Sequence, residues 1–214
     1  MKTIAFLLAV IATSTACADV TYKLISSNYT SGIDYTPPCQ APVCANYNTS
    51  MRMSGDFSVI TALPPNLNNQ DITPLLIRYR FNDGINTYLN SGPAKISSFK
   101  VTTDATGTIT DTVIDLYQWQ TEPNAGGYFN CVEIYGSRLE GHNARICLTV
   151  SGSNCTSWTN DSSTSIQFTD NPATWLQSST PPNPIPTLSE WAQMVMMLMM
   201  LVTAGRYGRR LKKK

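Results

Sequence analysis

Leu75-Leu76-Ile77-Arg78-Tyr79-Arg80-Phe81-Asn82-Asp83-Gly84 is the stretch that decides the fold class. Leu75, Ile77, Tyr79 and Phe81 recur at every second position, and Leu76, Arg78 and Arg80 fall between them. Successive side chains of a strand point to opposite faces, so a period of two predicts a strand over 75–81 with one apolar face. Asn82-Asp83-Gly84 then supplies the residues of a tight hairpin turn. Working outward, strand-like runs appear at Val20–Ser26, Met53–Thr61, Ile96–Thr103, Thr108–Gln120, Tyr128–Gly136, Ala144–Ser151 and Ser163–Thr169. Asp104-Ala105-Thr106-Gly107 marks a second hairpin. No long run of period 3.6 competes before the C-terminal tail. Short strands with recurrent turn residues and little helix predict an all-β body, an antiparallel β-sandwich or jelly roll.

The ends of the chain read differently from its middle. Residues 1–18 have the layout of a secretory signal peptide: Lys2, an apolar stretch from Ile4 to Ala12, and Ala16-Cys17-Ala18 as the cleavage site. A lipobox wants Leu three residues before the cysteine, and Ser14 stands there, so Cys17 is read as part of the cleavage site. The exported domain is expected over 19–177. A linker follows over 178–184, where Pro181, Pro182 and Pro184 hold the chain extended.

From Ile185-Pro186-Thr187-Leu188-Ser189-Glu190-Trp191 the chain enters the apolar run Met194–Val202 and closes on Arg206, Arg209, Arg210, Lys212, Lys213 and Lys214. A helix through that run would be apolar all round, which suits lipid. Counting from Leu188 to Tyr207 reaches the roughly 20 residues a transmembrane helix needs. Trp191 suits the interface, and the six bases act as a stop that stays in the cytoplasm, leaving the body outside. Pro186 disfavours helix at Ile185, so the motif is expected to be extended and open to a protease.

This tail resembles the IPTL-CTERM sorting signal of Gram-negative bacteria, related in layout to PEP-CTERM signals. The position after the Trp, usually Gly, is Ala192. The resemblance implies processing by an exosortase, a membrane-embedded cysteine protease or transpeptidase. It also implies an inner-membrane precursor whose body passes to the envelope, the surface or the extracellular matrix.

Export changes how composition reads. Setting aside Lys2, Glu190 and the six tail bases leaves 8 basic and 13 acidic residues, so the body is at about −5 and no nucleic-acid partner is expected. Export also favours disulfides. Cys39 and Cys44 are spaced for a local bridge across Pro42, and Cys147–Cys155 is the preferred second bridge, with Cys131 left over. The cysteine spacings lack a second C-x-x-C and there is one histidine, so no metal site and no cofactor are expected.

Candidate chemistry is sparse. His142 lies in the polar run Glu140-Gly141-His142-Asn143 and reads as a surface-loop histidine. Glu133 and Glu140 form a close glutamate pair of the type glycoside hydrolysis uses, but a charged residue on a strand ordinarily faces solvent. Asp104 and Asp111 flank a turn; Asx capping is expected rather than calcium. Trp119, Trp158 and Trp175 read as core rings, with sugar stacking the alternative. The sequence thus predicts a non-enzymatic exported surface or matrix protein sorted by its tail, with extracellular polysaccharide a candidate partner. The alternatives are a carbohydrate-binding or adhesive module and a secreted hydrolase.

Overall fold

The rings of Tyr79 and Phe81 turn inward and meet side chains of a facing sheet, as the alternation requires. A computed structural model describes residues 19–33, 47–179, 195–196 and 198–199. The strands are β1 (Val20–Ile25), β2 (Ser31–Ile33), β3 (Ser54–Val59), β4 (Gln70–Asp71), β5 (Leu76–Asn82), β6 (Thr87–Leu89), β7 (Lys95–Thr103), β8 (Ile109–Trp119), β9 (Tyr128–Tyr135), β10 (Arg138–Ser151), β11 (Asn154–Thr159), β12 (Ser165–Thr169) and β13 (Thr174–Ser179). One sheet runs β13-β1-β3-β5-β6, the other β2-β12-β10-β9-β8-β7-β4, and β11 adds to β10. Every pairing is antiparallel.

The two sheets share one apolar layer, which makes the body sandwich-like. Phe57 of β3 meets Phe99 of β7 edge to face, centroids 5.1 Å apart, and Trp175 of β13 at 5.3 Å. Tyr22 of β1 stacks on Phe57 from the side, and Phe81 reaches Phe99 at 6.1 Å. Ile114, Leu116, Val132, Ile134 and Leu139 complete the layer from the larger sheet. Rings in these geometries contribute beyond their buried area, by about 0.5–1.5 kcal/mol per pair.

Several expectations need correction. The alternation breaks at the start of β5: Ile77 is exposed, while Leu76 packs against the core. The pairing shifts between Ser58 and Val59, so Ile77 is the extra residue of a bulge and Leu75 belongs to a 3-10 turn over Thr73–Leu75. β10 begins at Arg138, not Ala144. A strand at Thr174–Ser179 was not expected, and it carries the sheet two residues into the stretch read as linker. The short strands β2, β4, β6 and β11 were also missed; edge strands of two to six residues leave little periodicity to read.

The signal peptide, Cys39 and Cys44, and the motif Ile185–Trp191 lie outside the described residues, as do Arg206, Arg209, Arg210, Lys212, Lys213 and Lys214. Among the described residues no helix is long and apolar enough to cross a membrane. Of the expected span only Val195, Met196, Leu198 and Met199 are described, and they are helical.

At the turn after β5, Asp83 is fully buried. Its Oδ1 accepts the backbone N–H groups of Ile85 and Asn86 at 2.8 and 2.6 Å. Its Oδ2 accepts the hydroxyls of Tyr47 and Tyr88 at 2.8 and 3.0 Å and the Asn86 amide at 3.2 Å. Tyr29 donates to the Asp83 carbonyl at 2.8 Å. Burial first, and then the Asp83 charge, pushes the hydroxyls of Tyr29, Tyr47 and Tyr88 up, which keeps them protonated as donors. Gly141 of β10 leaves the room: a Cβ there would stand 3.0 Å from both Asp83 Cβ and Tyr29 Oη.

Asp83→Ala leaves the Tyr47 and Tyr88 hydroxyls and the Ile85 and Asn86 amides without their carboxylate acceptor, at a cost on the order of 3 kcal/mol or more. Urea unfolding followed by circular dichroism should show this loss. Asp104→Ala, at the solvent-facing turn, should cost clearly less. Equal losses at both positions would reject the special role of Asp83.

Candidate functional site

The β9–β10 hairpin turns at Gly136, whose φ of +57 suits glycine. Its register sets Cys131 opposite His142 and Glu133 opposite Glu140. Period two then puts all four on one face, the face of the larger sheet that looks away from the smaller one. Read separately in the sequence, these residues form one cluster in the structure.

Two expectations fail here. His142 is not on a surface loop: its side chain is 2% exposed, because β10 is an interior strand flanked by β9 and β12. Glu133 does not face solvent. It is 12% exposed, since Arg145, Tyr117 and Trp158 share its surroundings.

Each carboxylate has a partner. Arg145 Nη1 donates to Glu133 and to Cys131 Sγ, the latter at 3.3 Å. Arg138 donates to Glu140, and His142 Nε2 lies 2.8 Å from the second Glu140 oxygen and 3.8 Å from Glu133. The guanidinium of Arg138 lies 4.0 Å from the Phe168 ring centre and that of Arg145 lies 5.3 Å from Trp158. Burial raises Glu140, but the His142 hydrogen bond and charge, then Tyr135 and Arg138, outweigh it and bring the carboxyl down to about 2. Burial lowers His142, so at neutral pH it donates its Nε2–H and leaves Nδ1 with no hydrogen-bond partner among the described residues. Burial pushes the Cys131 thiol up despite Arg145. Asp115 of β8, beside this cluster, is raised to about 6 by burial and then by the Glu133 charge.

What this cluster can do is limited by its closure. The cavity beside it holds about 20 Å³, lined by Ser97, Asp115, Cys131, Glu133, Arg145 and Trp158 among others. That admits one water, not a sugar ring. The carboxylates are engaged by guanidinium and imidazole, so the glutamate pair has no access to a glycosidic oxygen. A buried, protonated thiol is a poor nucleophile. Cys131, Glu133 and His142 do place ligand atoms within 4.8 Å of one another, a donor set that suits zinc. The Arg145 guanidinium, however, bonds both Cys131 and Glu133, and so supplies the positive charge a metal ion would bring.

The remaining candidates sort by geometry. Cys147 and Cys155 are bonded, Cα atoms 5.7 Å apart, and staple β11 onto β10; Cys131 is a buried free thiol. Trp175 is a core ring as expected, whereas Trp158 is exposed. Trp119 packs on Phe129 at 5.8 Å and donates to the Ser153 carbonyl at 2.9 Å. Asp104 Oδ1 accepts from the Thr106 and Thr108 amides at 2.7 and 3.0 Å, the Asx cap expected of it, whereas Asp111 lies within β8 and its Oδ1 meets the adjacent Thr112 amide at 2.7 Å. Asp115 and Arg145 were missed. Each is one charge inside a strand-like run, and only the register reveals that they meet Glu133.

A family model for the IPTL-CTERM motif matches residues 183–210. The chain therefore carries a C-terminal sorting signal of that kind, which marks an exported cell-surface protein, and its body is β-rich. No curated protein and no solved structure matches the chain.

Asp115 gives this cluster a measurable pH response. Its folded-state pKa is raised above the unfolded value of 3.8 to about 6, so folding takes up a proton and this contribution to stability is lost as pH rises through that window. His142, lowered by burial, acts in the opposite sense below its ordinary value. Comparison with Asp115→Asn separates the two. The variant should gain on the native protein between pH 4 and 7 by on the order of 2 kcal/mol. Parallel stability curves would show that Asp115 is not buried as described.

Proposed function

We propose that the protein is a cell-envelope or matrix component whose body is exported and then released or transferred by an exosortase-type protease. The observation that carries this reading is the family match over 183–210, which takes in the Ile185–Trp191 motif, the apolar run and the first of the tail bases. In the precursor, residues 1–18 direct export and are removed after Ala18. The segment from Leu188 to Tyr207 spans the inner membrane. The six bases hold its far end in the cytoplasm, each contributing on the order of 1 kcal/mol near an anionic leaflet. The motif then sits at the outer edge of the membrane, held extended by Pro186, where a membrane protease can reach it. The closed β9–β10 cluster supports a structural role for the body rather than hydrolysis by its glutamate pair.

Intact mass of the mature protein from its native host tests this. The expected species begins at Asp19, ends near the motif and lacks the apolar helix. Replacing Pro186 and Trp191 together should leave the full tail attached and the protein in the inner membrane. A chain still ending at Lys214 beside an active exosortase would reduce the tail to an anchor. A double variant that matures at the normal rate would show that the motif is not the recognition element.

A further inference from the structure

The outward face of the smaller sheet gathers charge that the composition hides. Lys23 of β1, Asp56 of β3 and Arg80 of β5 stand in one cross-strand row, and Thr21, Ser58 and Arg78 form the next. Arg52, just before β3, joins them. Lys23, Arg52, Arg78 and Arg80 are four of the eight basic residues of an acidic body. The body's net charge of about −5 is an average over the chain and does not describe this face. Strand alternation sends Lys23 of β1 and Arg78 and Arg80 of β5 to the same side of the sheet, across β3, which a chain average cannot register.

Lys23, Arg52, Ser54, Asp56, Arg80 and Asn82 line a concavity of about 480 Å³ on this face. That lies within the size range of small-ligand sites and is far larger than the cavity beside Glu133. Arg78 is tied down by Ser58 and Thr21 at 2.9 and 3.3 Å and lies 3.8 Å from Asp56. Lys23, Arg52 and Arg80 are exposed and pair with no acid among the described residues. Asp56 is the only acidic residue lining the concavity among those described.

We infer that this concavity binds an acidic polysaccharide, a chain bearing both carboxylate groups and free hydroxyls. Three cations attract the anionic groups. Asp56, set between Lys23 and Arg80, accepts hydrogen bonds from hydroxyls, as Ser54 and Asn82 can. A duplex phosphate backbone or an anionic lipid surface would meet the Asp56 carboxylate as repulsion without that compensation. Among the described residues no aromatic ring lines the concavity to stack a base, which single-strand nucleic-acid sites use. The inference deepens the matrix reading and rests on it for where the ligand is met. Binding itself is independent of how the tail is processed.

The test uses the full chain in mild detergent with galacturonate oligomers, neutral dextran, duplex DNA and anionic vesicles as probes. At about 20 mM salt the uronate oligomers should bind and dextran should not, with affinity falling about tenfold or more by about 200 mM salt. Arg52→Gln with Arg80→Gln keeps every tail base and should lose uronate binding about tenfold. Lys23→Gln alone, a single surface change, should lose less but in the same direction, and unchanged melting confirms that both variants fold. Uronate binding no stronger than dextran would overturn the inference. Binding that persists in the double variant assigns it to the tail bases and overturns it too. Tighter binding of DNA or vesicles than of uronate, lost in the double variant that keeps every tail base, would give the face to another partner class. None of these outcomes changes the mature mass, so failure here is distinct from failure of the sorting proposal.

Discussion

A carboxylate that cannot reach water must be answered by donors on every side, and Asp83 is that group in this fold. The donors come from both near and far in the chain: the amides of its own turn, Tyr88 on the next strand β6, and Tyr47 before β3. The network runs on. Asn86 accepts from Asn130 at 3.0 Å, and Asn130 Oδ1 accepts the Ala144 N–H at 3.1 Å. Thr164 holds the Ala144 carbonyl at 2.9 Å. Ala144 has a φ of +57, a conformation that residues with a Cβ rarely adopt, and both its backbone groups are held from outside the strand.

That conformation decides which face Arg145 occupies. The β9–β10 register shifts between His142 and Arg145, so one extra residue lies in β10 and Arg145 falls opposite Phe129. Without the bulge, residues 142 and 145 would lie on opposite faces, since parity alternates along a strand. With it, Arg145 joins His142 on the outer face and meets Glu133 and Cys131. The buried network around Asp83 thus sets the charge balance of a cluster on the other side of the sheet. Arg145 draws the Cys131 thiol down and burial outweighs it, which matters for an exported chain. A free thiol in an oxidising compartment is safest when buried and protonated, because the thiolate is the species that attacks disulfides. The bonded pair Cys147–Cys155 stands on the same face, so a reactive Cys131 would have a disulfide nearby to exchange with.

Local periodicity made the sheets legible, and register hid the rest. The alternation at Tyr79 and Phe81, the turn at Asp104–Gly107 and the Cys147–Cys155 spacing all depend on neighbours a few residues apart. Ile77 was misread because a bulge depends on the partner strand. His142 was misread because its run of polar neighbours suggests a loop, whereas β9 and β12 enclose it. Asp83 looked like an ordinary turn residue; nothing nearby in sequence announces that three tyrosines converge on it. The basic face was hidden for the same reason, since Lys23, Arg52 and Arg80 are scattered along an acidic chain.

The way the body ends also bears on the release proposed for it. Val20 pairs with Ser179, so the first and last strands of the body lie side by side and finish together. The described part of β13 ends at Ser179, and Pro181 and Pro182 beyond it have no N–H to extend a ladder. Ser179 is the last paired residue among those described, and the motif begins beyond it at Ile185, so a cut there removes none of the described sheet hydrogen bonds. Trp175, which packs on Phe57 in the shared core, lies on the retained side. A cut before Thr174 would strip β13 from β1 and take that ring out of the core. Pro181, Pro182 and Pro184 therefore lie between a strand that the body needs and the segment that the proposed cut would remove.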